Sequence, residues 1–279
     1  MRFISLLIIT ISISTGGYLI WNHQADIRSW VQEVALSNRI QTLEIRHSAE
    51  SLMEAHRKEL LIDSEHIFLD PRLKFYPYLL MEVKYSRAQD RTVEGVILWS
   101  LVDGEMVLNT QHWEKTHGFT DCINSGADRN DFKIINALAT TKSGVLDRET
   151  LSRFLNVDNE KLDLWLESCR KKSLIVQSGN NFRLHLQNPR LQVQPETKLD
   201  HWLVTTSSKN VSRIAKKFRG GQIETIAKAA FGGDFAIRRT TEVFLPVYSI
   251  TIQNPDGSQM TTFWNALNGK KIDKPYVLE

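Results

Sequence analysis

The sequence predicts an α+β protein whose N-terminus crosses a membrane. Three features lead to this prediction: a charge-free apolar run at the start, two stretches with the alternating apolar pattern of β-hairpins, and a stretch of helical spacing between them. We therefore expect an N-terminal transmembrane helix followed by two related units. Each unit is a helix plus an antiparallel β-hairpin, and the two flank a separate helical domain.

The composition is that of an ordinary globular chain. Of 279 residues, 42% are hydrophobic and 24% are charged, which excludes wholesale disorder, a collagen-like repeat and a polytopic membrane protein. The net charge of +3 is too small for a general polyanion binder. The two cysteines, Cys122 and Cys169, exclude a disulfide scaffold but leave open either one bridge or two unpaired thiols.

Changes of pattern along the chain divide it into four segments. They are residues 1–24 as the anchor or signal segment, 25–110 as a helical stalk with the first hairpin unit, 111–190 as a connector with the helical domain, and 191–279 as the second hairpin unit.

The apolar run extends from Phe3 to Trp21 and reads FISLLIITISISTGGYLIW. As a helix, its 19 residues would extend roughly 28 Å, close to the thickness of the hydrocarbon core. We expect an uncleaved single-pass anchor, because the apolar run resumes at Tyr18 after the small residues Thr15 to Gly17 and ends in an aromatic pair suited to the interface. A cleaved signal peptide and a buried helix remain the alternatives.

The charges around this run bias its orientation only weakly. Arg2 and the terminal amine lie on one side, and Arg28 and Arg39 lie on the other, with Asp26 next to Arg28. A short amino tail resembles that of ordinary export signals. We therefore expect an inner-membrane protein with the bulk of its chain on the periplasmic side.

Helical spacing continues from Ala25 to Leu61, a stretch without proline or glycine. Its phase changes argue against a long coiled coil, which needs heptads in one frame. We expect one long helix or two stacked helices that form a stalk next to the membrane.

Two later stretches resemble each other. Phe75 to Val107 and Phe244 to Ile272 both open with Phe-x-Pro, both form a strand, a turn and a second strand with a tryptophan, and both close in a turn with glycine. The shorter copy has Asn254 to Gly257 as its hairpin turn. The pattern indicates an internal duplication, with chance similarity as the alternative, and it places Trp99 and Trp264 in the core.

A helix followed by a hairpin that ends in Leu101 to Gly104 resembles the PepSY-type domains of the bacterial envelope, whose strands end in a similar Asp-Ala-x-x-Gly pattern. The resemblance covers about thirty residues in each copy. It implies a small, non-catalytic binding module outside the cytoplasm.

Residues Asp131 to Leu186 carry the helical domain. Three helices are expected, followed by a hairpin whose turn is Ser178 to Asn181. Their expected buried residues are Ile134, Ile135, Leu138, Leu151, Phe154, Leu155, Leu162, Trp165, Leu166 and Cys169. Three helices and a hairpin wing resemble a winged-helix domain, and this resemblance implies DNA binding or protein contact.

The third of these helices would read the major groove if the domain bound DNA. Its first turns contain Asp158, Glu160 and Asp163, whose carboxylates would face phosphate, while Arg170 to Lys172 lie at the other end. Carboxylates at a helix N-terminus and cations at its C-terminus also have a purely structural explanation. We therefore expect a protein contact or a structural role rather than DNA binding.

The sequence contains no common catalytic motif, and we predict no catalytic residue, cofactor site or metal site. The densest polar stretch, His112 to Cys122, offers two imidazoles, carboxylates and a thiol, but its spacing matches no usual zinc site. We expect a structured connector here.

A basic stretch, KNVSRIAKKFR, is the candidate interaction surface. If it is helical, Val211, Ile214, Ala215 and Phe218 form an apolar stripe, and Gly220 and Gly221 end the helix before a second one begins at Gln222. Such a helix could bind anionic lipid or an acidic protein, although a solvated charged face is the simpler interpretation. The basic residues of this surface are Lys209, Arg213, Lys216, Lys217 and Arg219.

These features favour a non-enzymatic envelope protein that holds a protein partner within a secretion or cell-surface assembly, and they do not define a small-molecule ligand. The alternative is a membrane-tethered transcriptional regulator with its winged helix in the cytoplasm. An unrecognised hydrolase or metal enzyme is a third possibility.

Overall fold

The computed structural model describes residues 39–62, 65–87, 91–141, 143–200, 203–207 and 211–272. The apolar run at residues 3–21 and the first part of the expected stalk, residues 25–38, lie outside these ranges. In the described ranges, no helix is both long enough and apolar enough to cross a membrane.

The chain divides into two compact units. One comprises Met1–Gln41 with Thr205–Val211, of which residues 39–41, 205–207 and 211 are described. The other comprises Thr42–Val204 with Ser212–Glu279, and it contains the features that follow.

The fold is α+β, as predicted. The helices are α1 (Ala49–Ala55), α2 (Arg57–Leu60), α3 (Phe119–Ser125), α4 (Arg129–Thr140), α5 (Arg148–Leu155), α6 (Asn159–Lys171) and α7 (Gly220–Phe231). The strands are β1 (Arg39–Leu43), β2 (Ile67–Phe68), β3 (Arg72–Arg87), β4 (Arg91–Ser100), β5 (Met106–Asn109), β6 (Glu114–Lys115), β7 (Val145–Asp147), β8 (Ile175–Ser178), β9 (Asn181–Leu184), β10 (Leu203–Ser207), β11 (Ser212–Arg213), β12 (Ala236–Gln253), β13 (Gln259–Asn265) and β14 (Lys271–Ile272).

Two long strands, β3 and β12, form the centre of the main sheet. They pair antiparallel, and on either side the sheet continues by antiparallel pairing through β4, β5 and β6 or through β13 and β14. Long strands with alternating or continuous apolar residues favour this arrangement, because both faces of a central strand are covered. Both predicted hairpins are therefore present.

The register of the central pair has two-fold symmetry. Tyr76 lies opposite Leu245, and the Phe-x-Pro motifs cross, so that Phe75 lies opposite Pro246 and Phe244 lies opposite Pro77. The carbonyl of each proline points away from the central pair of strands. The N–H group that a proline lacks would have pointed to that same side. The central ladder therefore loses no donor at either proline.

The two hairpins also share their turn geometry. Trp99 and Trp264 are fully buried, as predicted, and the residue two positions after each tryptophan donates its N–H to a proline carbonyl, Leu101 to Pro77 at 3.0 Å and Ala266 to Pro246 at 3.1 Å. The chain then turns through Gly104 with φ of 73° and Gly269 with φ of 71°. Corresponding residues thus occupy corresponding positions in both hairpins.

The segments that precede the hairpins are exchanged between them. Thr42 of β1 pairs in parallel with β12, whereas Arg213 of β11 pairs in parallel with β3. The N–H groups of Arg46 and His47 donate to the carbonyl of Ala266, and those of Lys217 and Phe218 donate to Leu101, all at 2.9 Å. The strand that precedes the first hairpin therefore pairs with the second hairpin, and the strand that precedes the second hairpin pairs with the first.

The helices follow the same exchange. Leu52 and Leu60 of the α1–α2 segment share a core with Ile252 and Trp264, and the His56 ring lies 4.2 Å from the Trp264 ring. Helix α7 shares a core with β3 and β4, and its Phe231 ring lies 6.4 Å from Trp99. A helix that precedes one hairpin thus covers the other.

The helix predicted from Ala25 to Leu61 is wrong over residues 39–43, which form a strand in which Thr42 pairs with β12. Helical structure begins at Ala49, after the N-cap Ser48. The last part of the predicted stretch is confirmed as α1 and α2.

The segment between the hairpins contains the expected helices α4, α5 and α6 and the three-stranded sheet β7-β9-β8, with the predicted hairpin turn between β8 and β9. Asp128, Asp147 and Asp158 cap the three helices, each accepting a backbone N–H group. The expected burial is confirmed except at two residues of α5: Phe154 is 56% exposed and Leu155 is partly buried, because the helix turns this face outward.

This middle segment shares its core with the main sheet. Phe132 and Ile135 of α4 and Leu162 of α6 belong to the same cluster of buried side chains as Trp99 and Ile226. A continuous core of this kind resists independent movement of its parts. Cys122 and Cys169 lie in this core as free, buried thiols, so the bridge left open by the sequence is not formed.

Replacement of Gly104 by alanine tests the exchanged contact. An added Cβ would lie 2.8 Å from the Phe218 ring, so we expect Gly104→Ala to cost about 1 kcal/mol for its left-handed backbone and about 1 to 3 kcal/mol more for overpacking. Gly257→Ala is the matched control, since Gly257 has φ of 82° and open space around its Cβ position. Urea unfolding measures both, and equal losses of stability would contradict the contact.

Candidate functional site

The basic stretch does not form the predicted amphipathic helix. Lys209 lies outside the described residues. Ser212 and Arg213 form β11, residues 214–219 are not helical, and the helix begins only at Gly220. Ile214 donates its N–H to Phe75 at 3.0 Å, continuing the pairing of β11 with β3. Hydrogen bonds to the sheet replace those of a helix, and the glycine pair starts α7 instead of ending a helix before it.

The basic side chains of this stretch largely contact their own domain. Lys216 forms an ion pair with Glu242, and the Arg213 guanidinium lies 5.4 Å from the centre of the Phe244 ring. The Lys217 ammonium lies 5.1 Å from the Phe218 ring, and Arg219 is the N-cap residue of α7. These residues are exposed but are distributed along a non-helical segment, so they form no single basic helix face.

The polar stretch from His112 to Cys122 is organised around Glu105. This buried carboxylate accepts hydrogen bonds from the N–H groups of Gly118 and Thr120, both at 3.0 Å, and from the Thr116 hydroxyl at 2.7 Å. It thereby joins the turn after β4 to the start of α3. The connector expected here is therefore a rigid element of the fold.

The histidines of this stretch point to separate partners. His112 Nδ1 lies 3.3 Å from the Lys270 ammonium, and the backbone of His117 pairs with that of Arg190. Burial raises the pKa of the Cys122 thiol to about 12, so it is a poor nucleophile and ligand at neutral pH. Within the described ranges, no three His, Cys, Asp or Glu side chains come together as a metal site would require.

A partly buried charge pair lies beside this connector. The Lys115 ammonium is 2.6 Å from Asp103 Oδ2 and 5.8 Å from the centre of the Tyr78 ring. Burial opposes the charged forms, but Tyr78 and Asp103 outweigh it and raise the pKa of Lys115. The same ion pair, with the Ser100 hydroxyl, lowers the pKa of Asp103 in spite of its burial. Both groups are charged at neutral pH and hold the turn to the sheet.

A third cluster locks α4 to α6. Asp131 is fully buried and accepts hydrogen bonds from the N–H of Asp128 at 2.8 Å, the Ser168 hydroxyl at 3.1 Å and the Cys169 thiol at 3.2 Å, and it pairs with Lys172. Its spacing from Asp128 is that of a capping box, which is readable from sequence. Its lysine partner across the domain was not predicted.

The outward face of α6 combines ion pairs with an exposed apolar residue. Arg148 binds Asp163 through two bonds of 2.7 and 2.5 Å, and Glu167 lies 2.6 Å from Lys171. Leu164 lies between these pairs along the helix and is 68% exposed. A groove of 580 Å³ separates this helix from the β8–β9 hairpin, with Phe182 at its base and polar side chains around it.

Comparisons of the chain with protein-family models, with curated proteins and with solved structures find no match.

Replacement of Lys115 by methionine tests the Asp103–Lys115 pair. A lowered pKa of Asp103 stabilises the fold above its unfolded value of about 4, and this contribution is lost as pH falls through the folded value. Without the ammonium, burial raises the pKa of Asp103, so the buried carboxylate becomes a penalty at neutral pH that protonation relieves. We expect Lys115→Met to lose about 2 to 4 kcal/mol at pH 7, with a smaller loss near pH 4.

The control is the double variant Asp103→Asn with Lys115→Met, which removes both charges. At pH 7 it should have a higher free energy of unfolding than Lys115→Met, and this difference should disappear as Asp103 becomes protonated. Denaturant unfolding between pH 4 and 8 measures these differences. A loss for Lys115→Met that is independent of pH would exclude a titrating Asp103 as its cause.

Proposed function

We propose that this chain is a membrane-anchored, non-enzymatic component of the cell envelope that binds a partner protein and helps to assemble a secretion or cell-surface complex. The observation that carries the proposal is the outward face of α6. Its exposed Leu164 is bordered by paired charges, and protein interfaces commonly have an apolar centre within a polar rim.

The charges on α6 favour a protein partner over DNA. Asp158, Glu160 and Asp163 lie in its first turns, where a reading helix meets the base edges and flanking phosphates. The guanidinium of Arg148, close to these carboxylates, is already paired with Asp163. Phosphate would be repelled at this end, and a contact with DNA would lose the electrostatic term that dominates such binding.

The resemblance to a winged-helix domain over residues 131–186 supports this proposal. The order of its elements, α4, β7, α5, α6 and the β8–β9 hairpin, is compatible with that fold. Winged helices also serve as protein contacts, and the continuous core beneath this domain would present α6 on a rigid support. A membrane-tethered transcriptional regulator remains the alternative function.

We also propose that the two hairpin units are copies of one ancestral module, related to PepSY-type domains. The support is positional: the crossing Phe-x-Pro motifs, the buried tryptophans, the turn glycines and the exchanged leading strands all correspond. Two copies that exchange segments form one domain, since a single hairpin with one helix is too small to close a core.

A reporter fused after Glu279 tests the expected location. With residues 3–21 as the anchor, alkaline phosphatase at this position should be active and green fluorescent protein should be dark. Deletion of residues 2–24 is the control and should reverse both signals. A fluorescent fusion with inactive phosphatase in the intact chain would reject the periplasmic location and favour the transcriptional alternative.

Substitution of Leu164 tests the partner contact. In membranes solubilised from the native cell, we expect the chain to migrate in a complex larger than its own 32.1 kDa on a native gel. Leu164→Glu should reduce the bound fraction by at least about tenfold, because a charge would replace an apolar contact at the centre of the interface.

Ile45→Glu is the matched control, as Ile45 is also apolar and is 45% exposed outside the helical domain. It should leave the complex intact. Equal behaviour of the two variants, with thermal unfolding unchanged in both, would reject α6 as the contact.

A further inference from the structure

In the described part of the chain, the outer edge of β13 is paired only at Phe263 and Trp264, with β14. Thr261 lies opposite Thr251, whose carbonyl points the other way and accepts from Leu69. In an antiparallel ladder, the N–H and C=O groups of Thr261 therefore point outward, and those of Gln259, two residues earlier, do so as well.

The side chains along this edge are accessible. Gln259, Met260 and Thr261 are all exposed, Met260 by 45%. Met260 lies opposite the buried Ile252, which in turn lies opposite Phe68, so the three form a row of apolar residues across three strands. Met260 is at the exposed end of this row. Such an edge has none of the usual protection against further pairing, since these three residues include no charge and no proline.

The corresponding edge of the first hairpin, that of β4, shows what can bind at such a position. Thr261 corresponds to Val96 of β4, since each occupies the same place in its hairpin register. The Val96 carbonyl accepts the N–H of Thr197 at 2.7 Å, and the Thr197 hydroxyl accepts the N–H of Leu98 at 2.8 Å. The chain's own return segment from the helical domain thus occupies the edge of β4 with a main-chain hydrogen bond.

We propose that the edge of β13 binds an extended segment of a partner protein, which adds to the main sheet as a further strand. Main-chain hydrogen bonds to Gln259 and Thr261 supply the affinity, and the residue opposite Met260 supplies the specificity. That residue is apolar, because it extends the row formed by Met260 and Ile252, whereas its neighbours are polar and lie beside Gln259 and Thr261.

This inference deepens the proposed function, on which it rests for the existence of a protein partner. It names a second surface, separate from α6, and the chemical form of what that surface binds. The partner segment is uncharged at its centre, where polar residues alternate with apolar ones.

The test uses the full-length chain in detergent micelles and a fluorescein-labelled peptide, Lys-Thr-Val-Thr-Ile-Thr-Lys, capped at both ends. We expect saturable binding in fluorescence anisotropy, and peptide-dependent protection from hydrogen exchange over residues 259–262. Thr261→Pro, which removes an outward N–H but leaves the pairing with β12, should weaken binding by at least about tenfold.

Thr261→Val is the matched control and should bind within about twofold of the natural chain, because it keeps the backbone donor and the preference for a strand. Met260→Lys should also weaken binding, since lysine protects natural edges. The same peptide with its five central amides N-methylated should not bind.

Three results would overturn the inference: no binding at millimolar peptide, equal binding by Thr261→Pro and Thr261→Val, or protection of residues 259–262 in the chain alone that disappears when residues 273–279 are removed. In the last case the occupant is the chain itself. None of these results affects the reporter fusions or the Leu164 assay, so failure of the edge and failure of the proposed function can be told apart.

Discussion

The antiparallel pairing of β3 with β12 is the constraint on which the rest of the structure depends. Because Tyr76 lies opposite Leu245, the prolines, the buried tryptophans and the turn glycines of one hairpin have counterparts in the other. A register shift of one residue would turn each apolar face toward the wrong layer, and the leading strands would lose their places beside the two prolines. Burial on both faces therefore selects a single register.

The helical segment inserted between the hairpins breaks this symmetry. It adds helices α3 and α4 to the core around Trp99, and its return segment occupies the edge of β4 through Thr197. Among the described residues, the half around Trp264 is covered by α1 and α2, and its edge strand keeps exposed residues. The chemical difference between the two halves thus arises from the segment that lies between the hairpins, while the hairpins themselves remain alike.

Local signals in the sequence were sufficient for the hairpins, for the three capped helices and for the turn at Asn254 to Gly257, because alternation, aspartate caps and turn residues act over a few positions. They failed where distant pairing decides the conformation. Residues 211–219 have helical spacing but form hydrogen bonds to β3 and to Leu101. The exchange of helices and the Asp131–Lys172 lock depend on contacts far apart in the chain, to which periodicity is insensitive.

The exchange of segments has a consequence for the order of synthesis. The face of β3 and β4 that carries Trp99 is covered by α7, which is translated more than a hundred residues after Trp99. The first hairpin consequently leaves the ribosome before the helix that covers it, α7, and before its central partner strand, β12. Helices α3 and α4 can cover part of its apolar face early, but the part under α7 stays exposed, or is held by a chaperone, until residues 220–231 have been made, so folding of the sheet is completed late.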